Sequence, residues 1–182
     1  MKKKHKIPFF SLLIFPYHRN KVKRCIAQTG DLWYSKEKTK TADITTYIST
    51  DNMLPNYGGI ETASSIPESG QSTCYKKGNV LISNIRPYFK KIWYADKSGS
   101  CSNDVLVFMP KDFGNNMLYL LLARDSFFDF VMTGANGAKM PRGDKKHIMT
   151  YPVVVPNKDI SVIFETHVTS FFEKIIKIAN IF

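Results

Sequence analysis

The stretch GNVLISNIRPYFKKIWY, residues Gly78–Tyr94, predicts two β-strands joined by a basic, aromatic turn. Asn79–Ile85 alternates as a strand does, and Lys91–Ala95 supplies the second strand. Pro87 either ends the hydrogen-bond ladder of the first strand or places that strand at a sheet edge, because proline has no N–H to donate. Asp104–Met109 is almost entirely apolar, which predicts a third strand in a central position.

The segments around these strands predict weaker strands and short helices. Asp31–Thr46 is polar and charged, which predicts a loop or a weak edge element. Helical spacing begins near Asn115, and Asn115 or Asn116 is suited to cap the first turn. Asp144–Met149 predicts one further helical turn, with Asp144 as its cap. The apolar stripe of the first helix consists of Leu118, Leu121, Leu122, Phe128 and Val131, with Phe127 beside it.

The C-terminal part predicts a strand followed by a long amphipathic helix. Tyr151–Val155 is the strand, and Asp159–Ala179 carries apolar residues three and four positions apart. The apolar face of that helix predicts a partner that covers it. The whole chain therefore predicts an α+β fold, in which a curved mixed or antiparallel sheet with flanking helices is followed by a projecting C-terminal helix.

Most of the net charge of +11 lies near the N-terminus, and the remaining surplus is concentrated in residues 74–97 and 139–146. Removing the eight basic residues that precede Gly30 from the 26 leaves 18 basic against 15 acidic residues, so the body of the chain is only mildly basic. Within that body, Cys74–Lys97 holds six basic residues against Asp96 alone. A local basic patch of this kind is typical of a nucleic-acid contact.

Cysteine and histidine usage argues against disulfides and metal sites. Cys25, Cys74 and Cys101 are an odd number without a CxxC pair, which predicts reduced thiols and a cytoplasmic protein. The four histidines show no metal-ligand spacing. We therefore predict neither a metal nor another cofactor.

The N-terminal leader, residues 1–30, partly imitates a signal peptide. Met1–Lys6 is basic and Ile7–Phe15 is apolar, but Pro8 interrupts the apolar run and a strongly basic segment, His18–Arg24, follows it without a cleavage site. The run is too short to span a bilayer. A first strand behind a basic leader is favoured over export, and no membrane contact is expected.

Motifs for catalysis are weak or missing. The chain has no Pro-Pro pair for the amine-gripping loop of a DNA amino-methyltransferase and no glycine-rich turn between a strand and a long helix. No Gly-x-Ser-x-Gly motif is present. A Mg²⁺-dependent nuclease using Asp104, Asp144 and Lys146 stays open as the alternative, although two acids are few ligands for a metal. We therefore predict a protein without catalytic residues.

Two segments are candidates for contact with DNA. In the stretch 84–91, Asn84 and Arg86 suit base edges. A hairpin with core aromatics and solvated lysines is the alternative for this stretch. The loop Gly134–Lys146 is the second candidate, because its glycines allow close backbone approach. The predicted DNA-binding residues are Asn84, Arg86, Tyr88, Lys90, Lys91, Lys139, Arg142, Lys145 and Lys146, of which the six after Tyr88 are assigned to phosphates.

Five segments of the chain, in one order, resemble the specificity (S) subunits of type I restriction–modification systems. Gly78–Tyr88 matches the family pattern kGD-(I/V)-L-(I/L)-S-x-I-R, with Asn79 where Asp is usual. Gly137–Lys145 matches the pattern G-T-K-M-P-R-G-D, with Ala138 in place of Thr. The resemblance covers about residues 47–182. The segments are Tyr47–Asn56, Gly78–Tyr88, Cys101–Val107, Gly137–Lys145 and Tyr151–Pro156.

The resemblance implies a non-catalytic DNA-binding subunit that directs partner subunits. Members of the family read each half of a split DNA site with one target-recognition domain, and helices between the domains dock the modification subunits. It implies a target-recognition domain over residues 31–157, the start of the spacer helix over 158–182, and double-stranded DNA, modification subunits and a restriction subunit as partners.

The chain departs from the family in having one recognition domain and a shorter helix. A half-subunit that dimerises through the C-terminal helix, a recombining cassette and an inactive truncated fragment all remain open. Because the pattern is shared by proteins that read different sequences, Asn84 and Arg86 are also candidates for framework or backbone-gripping residues.

Overall fold

The computed structural model describes residues 26–28, 32–34, 38–39, 41–110, 113–154 and 156–179. The helices are α1 (Asn115–Leu122), α2 (Asp125–Thr133), α3 (Lys145–Ile148) and α4 (Lys158–Ala179), with a 3-10 turn at Pro87–Phe89. The strands are β1 (Ile26–Gln28), β2 (Leu32–Tyr34), β3 (Lys38–Thr39), β4 (Tyr47–Ile48), β5 (Ser72–Tyr75), β6 (Val80–Ser83), β7 (Ile92–Tyr94), β8 (Gly99–Cys101), β9 (Val105–Pro110) and β10 (Pro152–Val154).

An antiparallel sheet in the order β2-β9-β6-β7 forms the centre of the domain. It confirms the three strands predicted from the sequence and the central position of the third. Because β6 lies between β9 and β7, Pro87 does not mark an edge strand. The proline instead begins the 3-10 turn after β6 has ended, which is the first of the two alternatives that the sequence left open.

Both faces of this sheet are buried, which explains the nearly continuous apolar runs of β6 and β9. Val80, Ile82 and Phe108 belong to the core cluster formed with α1 and α2. Leu81 and Val107, on the opposite face, pack with residues such as Ile48, Met53 and Tyr75 of the second layer. Successive side chains of a strand alternate between faces, so the two strands supply both cores.

A second, mixed sheet in the order β3-β5-β8-β4 covers one face of the first. Its β4–β8 pair is parallel and its other pairs are antiparallel. Two strands, β2 and β3, fall within Asp31–Thr46 and lie at the edges of their sheets, as the weak edge prediction allows. β1 belongs to the predicted leader, yet it pairs antiparallel with β10 near the end of the domain.

The predicted first helix is two helices. Arg124 has an extended backbone (φ −131°, ψ 145°) and separates α1 from α2. The apolar stripe survives the break, because Leu118, Leu122 and Phe128 still meet in one core cluster. The predicted cap at Asn115 or Asn116 is wrong: Gly114 is the N-cap residue and supplies no side-chain hydrogen bond.

The C-terminal helix α4 packs on α1 through a face that is both polar and aromatic, where Phe172 meets the Tyr119 ring at a centroid distance of 5.7 Å. Ser161 and Phe172 are buried on this face, and the Glu165 carboxylate accepts hydrogen bonds from the Asn116 side chain (2.8 Å) and the Met117 backbone N–H (3.0 Å). The apolar residues predicted to need a partner are exposed: Ile160 (50%), Ile163 (58%), Phe171 (60%) and Ile175 (52%).

Several predictions lie outside the described residues. They concern the leader up to Cys25, the end of the closing strand at Val155, the side chain of Ile178 and the last three residues of the chain. In the part of the chain that is described, no helix combines the length and the hydropathy that a membrane span requires.

Candidate nucleic-acid interface

The two segments predicted to contact DNA are separated by 42 residues in the sequence, yet they lie against each other through backbone hydrogen bonds. Arg86 N donates to the carbonyl of Pro141 (2.7 Å), and Gly143 N donates to the carbonyl of Asn84 (3.1 Å). An isolated antiparallel bridge joins Ile85 to Arg142 between them. We call this contact of residues 84–86 with 141–143 the loop junction.

The second segment forms a short hairpin over residues 136–142. Asn136 and Arg142 exchange both backbone hydrogen bonds, at 2.9 and 2.8 Å. Gly137 has a positive φ of 95°, which favours glycine at the tip. The guanidinium of Arg142 forms a half-exposed ion pair with Asp104 (2.7 Å), directly before β9. The hairpin is thereby tied to the central sheet by backbone and side-chain contacts.

Two residues with left-handed backbone conformations enclose the 3-10 turn of the first segment. Arg86 (φ 49°) precedes the turn and Lys90 (φ 52°) follows it. Such conformations cost about 1–3 kcal/mol each in non-glycine residues and persist only where surrounding contacts fix them. Here the backbone N–H groups of Asn56 and Tyr57 donate to the carbonyls of Phe89 and Lys90. Asn56 and Tyr57 also have left-handed backbone conformations. We call residues 86–90 the strained turn.

An acidic residue of α2 fixes the far end of the strained turn. Asp125 accepts hydrogen bonds from the Tyr57 hydroxyl (2.6 Å) and from the Lys90 ammonium group (2.7 Å). Burial, followed by the hydrogen bond to Asp125, raises the pKa of Tyr57 well above its ordinary value, so its hydroxyl stays a donor. Lys91 donates to the carbonyl of Thr50 (2.6 Å). Both predicted phosphate ligands of the first segment, Lys90 and Lys91, thus already have partners within the chain.

The two residues predicted to contact bases are differently placed. Asn84 is only 3% exposed, and its Oδ1 has no hydrogen-bond partner. Its burial at the loop junction favours the framework role over base contact. Arg86 is half-buried, and its Nε is buried without a partner. Tyr88, by contrast, is 45% exposed.

Three lysines of the second segment flank the loop junction in the sequence. Lys139 lies in the hairpin, and Lys145 and Lys146 begin α3; all three are exposed. Asp144 caps α3 as predicted, because its carboxylate accepts from the His147 backbone N–H (2.9 Å). That hydrogen bond holds the pKa of Asp144 below its ordinary value. The cap orients the first turn of α3, where the two lysines lie.

Sequence reasoning missed three features of this surface. Phe89 and Met140 are exposed (37% and 54%) although apolar patterns alone assign such residues to a core. The contacts of Asp125 with Tyr57 and Lys90 had no signal in the sequence. The sequence did carry a signal for the exposure of these two apolar residues, because each has a basic neighbour. Lys90 follows Phe89, and Lys139 precedes Met140.

The acids of the alternative nuclease have structural partners. Asp104 pairs with Arg142, and Asp144 caps α3. Over the described ranges, no three His, Cys, Asp or Glu side chains are grouped so that they could hold a metal ion.

No protein-family model and no curated protein matches the chain. Solved structures do match. One is the HsdS subunit from Thermoanaerobacter tengcongensis, with a TM-score of 0.54 and 13% identity over 82% of this chain and 44% of that one. Another is a chain from a study of complex assembly and conformational transition of the type I R-M system, with a TM-score of 0.58 and 14% identity over 85% of this chain and 43% of that one.

These similarities show the fold. The chain has the fold of one target-recognition domain of a type I specificity subunit, with mixed sheets, flanking helices and a C-terminal helix. The α+β fold predicted from the sequence is confirmed. The chain spans less than half of the length of the two chains it matches.

Proposed function

We propose that the chain is a non-catalytic, sequence-specific DNA-binding specificity subunit, or half-subunit, of a type I restriction–modification system. It acts in the cytoplasm and directs methylation and cleavage that partner subunits carry out. The fold match supports the type I specificity role. The observation that carries DNA binding is the loop junction, because it unites both segments that the sequence assigned to DNA.

The surface around the loop junction has the chemistry that DNA requires. Lys139, Lys145 and Lys146 supply positive charge for phosphates, whose contacts position a protein on the duplex. The strained turn presents Arg86 and Tyr88 beside them. Asn84 is assigned to positioning, because its side chain lies beneath Gly143 rather than at the surface.

The exposed apolar face of α4 supports a protein partner. Ile160, Ile163 and Phe171 lie on that face, away from the polar contacts with α1. Large apolar side chains grouped on one exposed helix face mark an interaction surface. We assign this face to a modification subunit or to α4 of a second copy, which would complete a two-domain specificity subunit; the restriction subunit joins that assembly.

Binding and cleavage assays with the purified chain test the proposal against the nuclease alternative. The chain is expected to bind duplex DNA in a salt-dependent manner and to leave plasmid intact when Mg²⁺ is added. Mg²⁺-dependent cutting that Asp104→Ala abolishes would contradict the proposal. Asp104→Asn is the variant matched to Asp104→Ala. It keeps the size of the side chain while it weakens the pair with Arg142.

Lysine substitutions are expected to change the salt dependence of DNA binding. The double variant Lys145→Gln/Lys146→Gln should lower the slope of log K against log salt by about two, because each phosphate contact contributes about 0.9. The variant Lys90→Gln/Lys91→Gln should lower it by about one unit per lysine if each gives up its internal partner for a phosphate. Fluorescence anisotropy over a salt series measures both slopes.

Lys76→Gln/Lys77→Gln is the control for these variants. It removes the same charge from an exposed pair of lysines at the opposite end of β6 from the loop junction. Its slope should match that of the wild type. An equal fall in all three variants would mean that net charge, rather than this surface, determines binding.

A further inference from the structure

We propose that the rings of Tyr88 and Phe89 form a stacking surface for a nucleobase that has left its base pair. The inference rests on the proposed DNA-binding function and adds a ligand for one part of the surface. We call these two residues the aromatic pair.

The aromatic pair lies outside the core although burial of aromatic rings is favourable. Tyr88 is 45% exposed and Phe89 37% exposed, and their ring centroids are 4.7 Å apart. Among the side chains whose exposure the structure describes, the other large aromatic one with comparable exposure is Phe171 on α4. Two adjacent exposed rings need an explanation that packing within this domain does not provide.

The backbone that carries the aromatic pair is fixed on both sides. The N–H of Arg86 binds the carbonyl of Pro141, and the carbonyl of Phe89 accepts from the N–H of Asn56 (2.8 Å). The left-handed conformations of Arg86 and Lys90 hold the pair between them. A surface that is rigid before binding loses little conformational entropy when it is occupied.

The charge around the aromatic pair favours nucleic acid over an apolar protein surface. Arg86, Lys90 and Lys91 flank the rings in the sequence, and Lys91 Nζ lies 5.8 Å from the centroid of Phe89. Cations beside stacking rings are the combination that binds bases together with their phosphates. Base faces are covered inside a closed duplex, so the ligand is a base at an unpaired or opened step.

Two duplexes that differ in one mismatched pair test this inference with the full chain. Wild-type protein is expected to bind the mismatched duplex about tenfold more tightly than the paired one, since one stacked base contributes that much. Tyr88→Ala/Phe89→Ala should reduce the ratio of the two affinities to about one. Tyr88→Phe should keep it, because the ring remains.

Ile66→Ala removes an exposed apolar side chain from a different loop and should keep the wild-type ratio. Thermal denaturation should give Tyr88→Ala/Phe89→Ala a midpoint near that of the wild type, because both rings are largely exposed. Equal wild-type affinity for the two duplexes, or an unchanged ratio in the double variant, would overturn the inference alone.

Other outcomes identify what failed. If wild-type protein binds neither duplex, the proposed function fails together with the inference. If it binds both duplexes equally and Tyr88→Ala/Phe89→Ala loses co-purification with modification subunits, the aromatic pair is a protein contact and the inference is overturned.

Discussion

Gly143→Val is expected to weaken DNA binding by about tenfold or more, because the loss of one base contact alone is worth about 1–3 kcal/mol. Gly143 is buried at the loop junction. A Cβ atom there would lie 2.8 Å from Asn84 Oδ1 and 3.0 Å from side-chain atoms of Ile148 and Val131. Valine is therefore expected to push the hairpin away from residues 84–86, which would separate the two segments proposed to contact DNA.

The same substitution should also lower stability. Overpacking a buried site costs about 1–3 kcal/mol, and each kcal/mol lowers the Tm of a domain of this size by about 2–4 °C. Anisotropy and thermal denaturation measure the two effects. Ala138→Val is the matched control, since it adds a β-branched side chain to an exposed position of the same hairpin. Wild-type DNA affinity in Gly143→Val would show that the loop junction is not needed for binding.

Glu165→Ala is expected to destabilise the chain by about 2 kcal/mol or more, because the Met117 backbone N–H loses its acceptor and the buried Asn116 amide is left with the Thr169 hydroxyl (3.1 Å). The carboxylate accepts from the Met117 backbone N–H at the start of α1 and from the amide of Asn116, which is 4% exposed. It thus takes the place of a cap that Gly114 does not provide. Thermal denaturation measures the loss, and hydrogen exchange over residues 158–175 measures the release of α4.

Glu173→Ala is the control for this prediction, because Glu173 is exposed on the same helix. Gly114→Ala tests the contact from the other side: a Cβ atom there would lie 1.9 Å from Glu165 Cδ. Neighbouring substitutions that share one contact are not additive. Gly114→Ala should therefore cost less in the Glu165→Ala background than alone, and full additivity would contradict the proposed contact.

Sequence patterns predicted those elements whose signals are local. β6, β7 and β9 follow from alternation and apolar runs, and the cap of α3 follows from an aspartate at the right position. The break at Arg124 was not predicted, because Leu118, Leu122 and Phe128 keep helical spacing across it. The periodicity of a stripe says which residues share a core, and it does not say whether one helix or two carry them.

Contacts between distant segments could not be predicted from the chain. The loop junction consists of backbone hydrogen bonds, which leave no residue-specific signal at Asn84 or Pro141. The contact between Glu165 and Gly114 depends on how α4 crosses α1. Nothing in the sequence at either position predicts that the two residues are neighbours. The exposure of Phe89 was not predicted for a related reason, because aromatic residues between strands are as typical of a core as of a binding surface.

Charge patterning identified two segments that meet in the structure, but it could not assign a role to each lysine. Both basic segments predicted to contact DNA meet in the structure. Lys90 and Lys91, however, have internal partners in Asp125 and Thr50, whereas Lys139, Lys145 and Lys146 are exposed. A lysine is equally suited to an internal carboxylate and to a phosphate, so composition cannot separate these roles.

Selection from random duplexes by the chain in complex with modification subunits tests the central claim most directly. The subunits are included because the resemblance implies that one recognition domain reads only half of a split site. If the chain is a specificity subunit, the selected pool should converge on one short sequence, and Gly143→Val should abolish the convergence while Ala138→Val preserves it. Recovery of duplexes without any shared sequence, at an affinity equal to that of the starting pool, would contradict the account.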